Sequence, residues 1–403
     1  MNAKERFRWA EEIEAHLFGH ILPYWTGPAV DRRGGGFHGW LSNEGKPDPT
    51  QPRGLVLYSR LLWTFSAAHE LRPDAEYHSL ADRAGGWLLS RFWDSQYKGG
   101  FWHVDASGRV TNDSKQIYGQ AFGVYAWVQY HLAFGSSDAL DRARQWYESV
   151  DQHAHDARFG GYGEAYARDW STPAVSLVGG QEFGAVKSMN THLHLLEAWS
   201  LLYRAWPDPG LSRRLRELLA LFWEKVLDPT GAMLHHYFSA DWRVLSSTYT
   251  YGHNIEAAWL FCEAADALGD PFWQDRARSL AIRMSDVVLE EAVGSDGGVA
   301  YEGRAGRVIA AFRDWWVQAE ALVGFLNAWQ ISGKERYTRA ARRVWQFIRD
   351  RVADPVHGDW FWRVEPDGQP DRSRPKVSEW KCPYHSSRAC LEAIRRLRAG
   401  PLS

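Results

Sequence analysis

GGGFHGWLSNEG (residues 34–45), GGFWHVDASG (99–108), GGYGEAYARDW (160–170), GAMLHHYFSADW (231–242), GGVAYEGRAG (297–306) and GDWFWRVEPDG (358–368) are six versions of one glycine-rich, aromatic-flanked turn. Their starts lie 65, 61, 71, 66 and 61 residues apart, and a near-constant period marks a chain built from one repeated supersecondary unit. Short alternating segments bounded by Gly and Asp read as β-hairpin loops. Between them lie pairs of helical stretches. LVLYSRLLWTFSAAHEL from Leu55 has helical apolar spacing, RPD breaks it, and a second helix runs from about Ala75 to Phe92. The same helix–break–helix pattern recurs around GSSD from Gly135, PDPG from Pro207, LGDP from Leu268 and SGKE from Ser332, where Gly, Pro, Asp and Ser supply caps and turns. An N-terminal helix and a last one from about Trp380 to Arg398 bring the number to twelve. Six helical hairpins that bury their apolar stripes against neighbours close into an all-α (α/α)6 barrel with short β-hairpin loops at one end. An open solenoid is the competing arrangement. Closure is favoured because no repeat resembles a polar cap and the first helix needs the last as partner. The expectation is a single domain, residues 1–403.

Composition narrows the partners. Lys and Arg number 47 against 49 Asp and Glu, a formal net charge of −2, so no basic face is expected for nucleic acid or an anionic membrane. Three cysteines, Cys262, Cys382 and Cys390, make a poor disulfide framework. The charged N-terminus reads as an amphipathic helix, not a signal peptide, and no stretch is apolar enough to span a membrane. The expectation is a cytoplasmic protein, monomeric or weakly self-associating. The 23 tryptophans are mostly core by default, although indole faces also stack on sugars.

Each repeat carries unusual residues near the start of the helix that follows its loop: Arg60; Tyr118 and Gln120; Asn190, His192 and His194; His253, Asn254 and Glu256; Trp315, Trp316 and Glu320; and Trp380, Tyr384 and His385. In a closed ring these positions converge on one end of the barrel, the default place for a site. Asn190 and His194, His253 and Glu256, and Trp316 and Glu320 each share a helix face. His192, two residues from His194, faces elsewhere and reads as supporting. A zinc site from His192, His194 and His253 is conceivable by spacing, but the repeats spread these residues around a ring, so no metal is expected. No phosphate loop or dinucleotide fingerprint is present.

PRGLVLYSRLLWTF, KSMNTHLHLLEAW, YGHNIEAAWL, WWVQAEALVGFLNA and EWKCPYHSSRACLEA resemble the N-acylglucosamine 2-epimerase superfamily, most closely its cellobiose 2-epimerase branch, from about residue 20 to 398. The resemblance implies an (α/α)6 barrel that interconverts glucose and mannose configurations at the reducing end of a β-1,4-linked disaccharide, such as cellobiose or lactose, with no cofactor. It implies that His253 and His385 move the C2 proton on opposite faces and that His194 assists ring opening. Arg60, Asn190 and Glu256 would hold the open-chain sugar and orient the histidines, and Trp316 and Trp380 would be stacking walls; Tyr118 and Glu320 are expected to bind substrate from their converging repeat positions. One departure stands out: many relatives carry Asn directly after the PYH histidine, whereas Ser386 and Ser387 follow here.

The chemistry asks for these residue types independently. Epimerising C2 requires ring opening, removal of the proton next to the carbonyl, and its return on the other face of an enediolate. Two imidazoles on opposite faces serve both steps near neutral pH. Arg60 can stabilise the oxyanion, and Glu256, one turn from His253, is expected to hold its tautomer. The aromatic residues of the hairpin loops, Trp102 and His103, His236 and Tyr237, Trp360 and Trp362, are expected to rim the mouth and receive a second sugar. Competing functions are a monosaccharide mannose–glucose 2-epimerase or mannose–fructose isomerase, a glycosidase using Glu256 and Glu320, and a sugar-binding protein.

Overall fold

A computed structural model describes residues 1–402. Helix α1 (Ala3–His16) runs on through a widened turn (Leu17–Ile21) and a last turn (Leu22–Thr26). The others are α2 (Leu55–Leu71), α3 (Ala75–Trp87), α4 (Ile117–Phe134), α5 (Ser137–Ala154), α6 (Met189–Ala205), α7 (Pro209–Leu221), α8 (Tyr251–Leu268), α9 (Pro271–Glu291), α10 (Trp315–Ser332), α11 (Glu335–Phe347) and α12 (Tyr384–Ala399). Even-numbered helices form an inner ring in which each packs on the next, and α12 returns to α2. The outer helix α1 pairs with α12, so the barrel closes with its first helix against its last. Inner helices are buried almost all round, as α2 is from Leu55 to Ala68. Outer helices are amphipathic: α11 buries Tyr337, Ala340, Ala341, Val344 and Trp345 and turns its arginines outward. The last helix starts at Tyr384, so Trp380 stands in the segment before it and not on it, because Pro383 caps the helix.

The hairpins link successive repeats. The strand before each of five inner helices pairs antiparallel with the next repeat's loop: Arg53–Gly54 with His103–Val104, Lys115–Gln116 with Ala165–Tyr166, Lys187–Ser188 with Tyr237–Phe238, Tyr249–Thr250 with Glu302–Gly303, and Arg313–Asp314 with Arg363–Val364. The bridge from Leu41 to Val377 completes the circle. A basic residue of such a strand repeatedly meets an aspartate of the preceding turn: Arg53 with Asp31, Lys115 with Asp94, Lys187 with Asp156, and Arg313 with Asp296; Lys376 and Asp354 do the same in the sixth repeat. Lys115–Asp94 and Lys376–Asp354 are fully buried, so losing either partner would leave an uncompensated charge in the interior.

The fourth residue of each inner helix from α2 to α10 pins a loop. Tyr58 accepts from Phe37 N–H and donates to its carbonyl. Gln120 does both with Gly100, and Gln318 with Val299. Asn254 accepts from Leu234 N–H. His192 accepts from Tyr162 N–H at 2.9 Å through Nε2 while Nδ1 faces the Ser188 carbonyl at 2.7 Å. Gly161, at φ +73°, permits this approach: a Cβ there would lie 2.6 Å from His192 Nε2. Gln120, His192 and Asn254 therefore belong to the scaffold. Burial pushes the His192 pKa down to about 4 and its partners require the neutral ring. Such a group contributes stability above the ordinary value of 6.5 that is lost as pH falls from there to about 4, by about 3 kcal/mol. Because glutamine fills the same role on α4 and α10, His192→Gln should keep the fold and lessen the loss of stability between pH 7 and pH 4.5 in urea titrations. His192→Leu should destabilise by about 2 kcal/mol at pH 7 by orphaning the Tyr162 amide.

Candidate active site

Below the loop pins, the sixth residues of the inner helices meet at the barrel axis: Arg60, Phe122, His194, Glu256 and Glu320, with Arg388 as the counterpart on α12. The Arg60 guanidinium lies 4.2 Å from the Phe122 ring centre, and that ring is 4.9 Å from His194. On the other side Arg388 donates to Glu256 (2.5 Å), Glu320 (2.7 Å) and Glu197. Tyr384 also donates to Glu197, at 2.6 Å. Burial would raise the Glu197 pKa, but Arg388 and His194 bring it to about 2. Burial and the charge of Glu320 push Glu256 well above the carboxylate range. Burial also raises Glu320, so one guanidinium does not hold all three ionised. We assign the extra proton to Glu256, whose Oε2 has no partner within the protein. Glu320 receives donors on both oxygens, from Arg388 and from the Trp259 indole.

Each central histidine is held at Nδ1. Glu197 holds His194 at 2.8 Å and Glu320 holds His385 at 2.7 Å. With carboxylates as acceptors, Nδ1 carries the hydrogen and Nε2 is left for the cavity. His253 departs from expectation: its Nδ1 lies 2.5 Å from Thr250 Oγ1, and Glu256, engaged by Arg388, does not hold it. Burial pushes all three histidines below the ordinary value, His253 further through His236 and His385 further through Arg60. The rings are therefore neutral near neutral pH and able to accept a proton. His253 and His385 both pack on Trp316, with ring centres 4.7 and 5.9 Å away. Gly252 leaves the room, since a Cβ there would lie 2.5 Å from that indole.

These groups line a cavity of about 230 Å³. Arg60, Tyr118, Asn190, His194, His253, Glu256, Trp316, Trp380 and His385 all reach it; Glu320 stands behind His385. Tyr118 accepts from Arg60 at 2.8 Å, and the Asn190 carbonyl oxygen has no partner within the protein. Val178, Tyr301, Asp314, Trp315 and Trp362 complete the wall. A second cavity of about 440 Å³ shares Val178, Asn190, His253 and Tyr301 with the first and adds Phe183, Tyr237 and Ile309. Of the expected rim aromatics, Trp362, His236 and Tyr237 line these spaces. Trp102 and Trp360 do not rim the mouth: both are buried, the first 5.9 Å from Trp380, the second donating to His16. His103 is turned to Glu379 at 2.5 Å; His236, largely buried, lines the outer cavity while its Nε2 accepts from Thr250 N–H. Sequence reasoning missed Arg388, Glu197 and Thr250. The repeat register at Arg388 was the available signal.

The histidine trio conceived as a zinc site is not assembled, because His192 spends both nitrogens on the backbone. Among the described residues one trio, Glu256, Glu320 and His385, brings ligand atoms within 4.8 Å of one another. Arg388 already sits on two of these and His385 Nδ1 on Glu320, so an ion would have to displace the guanidinium. No described helix is long and apolar enough to cross a membrane.

The sequence matches the model of the N-acylglucosamine 2-epimerase (GlcNAc 2-epimerase) family over residues 35–389. It is 36% identical to the cellobiose 2-epimerase of Bacteroides fragilis across 95% of this chain and 98% of that protein. The solved cellobiose 2-epimerase of Spirochaeta thermophila superposes with a TM-score of 0.91 at 38% identity, covering 98% of each chain. The D-mannose isomerase of Thermobifida fusca is more distant, 26% identical across 84% of this chain and 83% of that one. The chain therefore belongs to the N-acylglucosamine 2-epimerase family, and it is an isomerase, a carbohydrate 2-epimerase.

Proposed function

We propose that this enzyme epimerises C2 of the reducing-end glucose of β-1,4-linked disaccharides, such as cellobiose and lactose, by proton transfer between His253 and His385 without a cofactor. The observation that carries it is the placement of those two imidazoles on one indole, each held at Nδ1 with Nε2 free. In this scheme His194 assists ring opening: the proton leaves O1, the C1–O5 bond breaks, and O5 takes a proton. One imidazole then removes the C2 proton. The C–H electron pair becomes the C1=C2 bond of an enediolate whose negative O1 is stabilised by Arg60. The anion draws a proton from solvent onto the second imidazole, which delivers it to the opposite face of C2 and is neutral again. The first imidazole then gives the abstracted proton to solvent, and both rings are neutral as at the start. Asn190 and the neutral Glu256 supply an acceptor and a donor for sugar hydroxyls, and Trp316 and Trp380 supply stacking faces. The glycosidase alternative fits less well, because Glu320 is saturated by donors behind His385. His253→Asn and His385→Asn should each lower epimerisation at least about a hundredfold with the melting temperature nearly unchanged. Near-wild-type turnover in either variant would end the two-histidine mechanism.

The inner cavity suits the reacting sugar, and the outer one, with Phe183, Tyr237 and Ile309, gives a second sugar apolar surface at roughly 25 cal/mol per Å² buried. The more distant likeness to a D-mannose isomerase supports a monosaccharide as the second reading. The ratio of kcat/KM for cellobiose over that for mannose separates them. We expect a ratio above ten; a ratio below one would assign the enzyme to monosaccharides.

A further inference from the structure

Thr250 ends the strand before α8 and is that helix's N-cap, with extended backbone at φ −99° and ψ 133°. A threonine there ordinarily turns its oxygen to a free amide of the first turn, as Ser188 does on α6 toward Thr191 N–H at 3.1 Å. Thr250 makes no such bond. Its hydroxyl goes instead to His253 Nδ1, while its backbone N–H donates to His236 Nε2 at 3.0 Å. The residue is thus anchored from behind by one histidine and turned toward another, and the helix forgoes a cap.

This partner differs in kind from that of His385. Glu320, with donors on both oxygens, only accepts, so it fixes the base form of His385 and favours the imidazolium once a proton arrives. A hydroxyl accepts or donates and brings no charge, so an imidazolium at His253 meets only a neutral oxygen. We propose that Thr250 is the positioning residue of His253 and that pairing one base with a hydroxyl and the other with a carboxylate makes the two faces of C2 chemically unequal. This rests on the two-histidine mechanism. A proton on His385 faces the Glu320 carboxylate, and a proton on His253 faces the Thr250 hydroxyl.

Net conversion must slow by the same factor in both directions when one base is impaired, because the equilibrium constant is fixed. Cleavage of the C2–H bond need not. Cellobiose and its 2-epimer are incubated separately in D₂O with wild type, Thr250→Val and Thr250→Ser, and total loss of C2 protium is followed at early times. Thr250→Val should slow cleavage from one epimer by about tenfold or more and from the other by less than threefold. Thr250→Ser should keep both within threefold. Because the hydroxyl does not cap the helix, both variants should melt within a few degrees of wild type. Equal loss on both epimers, no loss on either, or a Thr250→Val protein that fails to fold would each overturn the proposal. A parallel His253→Asn sample keeps the two claims apart. If it cleaves both epimers normally, the two-histidine mechanism fails; if it silences one while Thr250→Val spares both, only the role of Thr250 falls.

Discussion

Everything at the centre of this barrel is arranged around one buried guanidinium. Arg388, 1% exposed, is reached by carboxylates from three other inner helices, Glu197 of α6, Glu256 of α8 and Glu320 of α10. Taking such charges out of water is expensive, and a set like this persists where each member is bonded and the geometry is specified. Here the specification is passed on: Glu197 holds His194, and Glu320 holds His385. The orientation of two of the three central imidazoles follows from where one arginine sits. The third, His253, is set by the hydroxyl of Thr250.

The repeat separates scaffold from chemistry by position on the inner helix. The fourth residue serves the loops: Tyr58, Gln120, His192, Asn254 and Gln318 differ in chemistry but each bonds a backbone group of the preceding hairpin. The sixth residue of α2 to α10, one half-turn further and aimed at the axis, differs from repeat to repeat: an arginine, a phenylalanine, a histidine and two glutamates, met by Arg388, the fifth residue of α12. A ring of pinned loops therefore surrounds a centre to which the repeats contribute cationic, anionic, imidazole and aromatic groups.

The architecture was legible in the sequence because glycine turns and helical periodicity are local signals repeated six times, and the pairing of α1 with α12 followed from the need to bury both. Nine of the ten candidate residues reach the cavity and the tenth, Glu320, stands directly behind it, because repeat register predicts convergence. The hydrogen-bond partners were not legible. Spacing of three along α8 suggested that Glu256 holds His253, but Arg388, 132 residues away in sequence, claims that carboxylate and a threonine before the helix takes the ring. Burial of the loop aromatics was equally hidden: Trp102 and Trp360 sit in hairpins, yet the loops fold back over the barrel and enclose them.

The central claim is that C2 changes configuration by proton exchange with solvent-equilibrated bases. Wild-type enzyme converting unlabelled cellobiose in D₂O reports on it directly through the NMR spectrum of the product. The account predicts that the epimer carries deuterium at C2 of its reducing-end sugar and protium at every other carbon-bound position. An epimer that forms at the normal rate and keeps its C2 protium would contradict it.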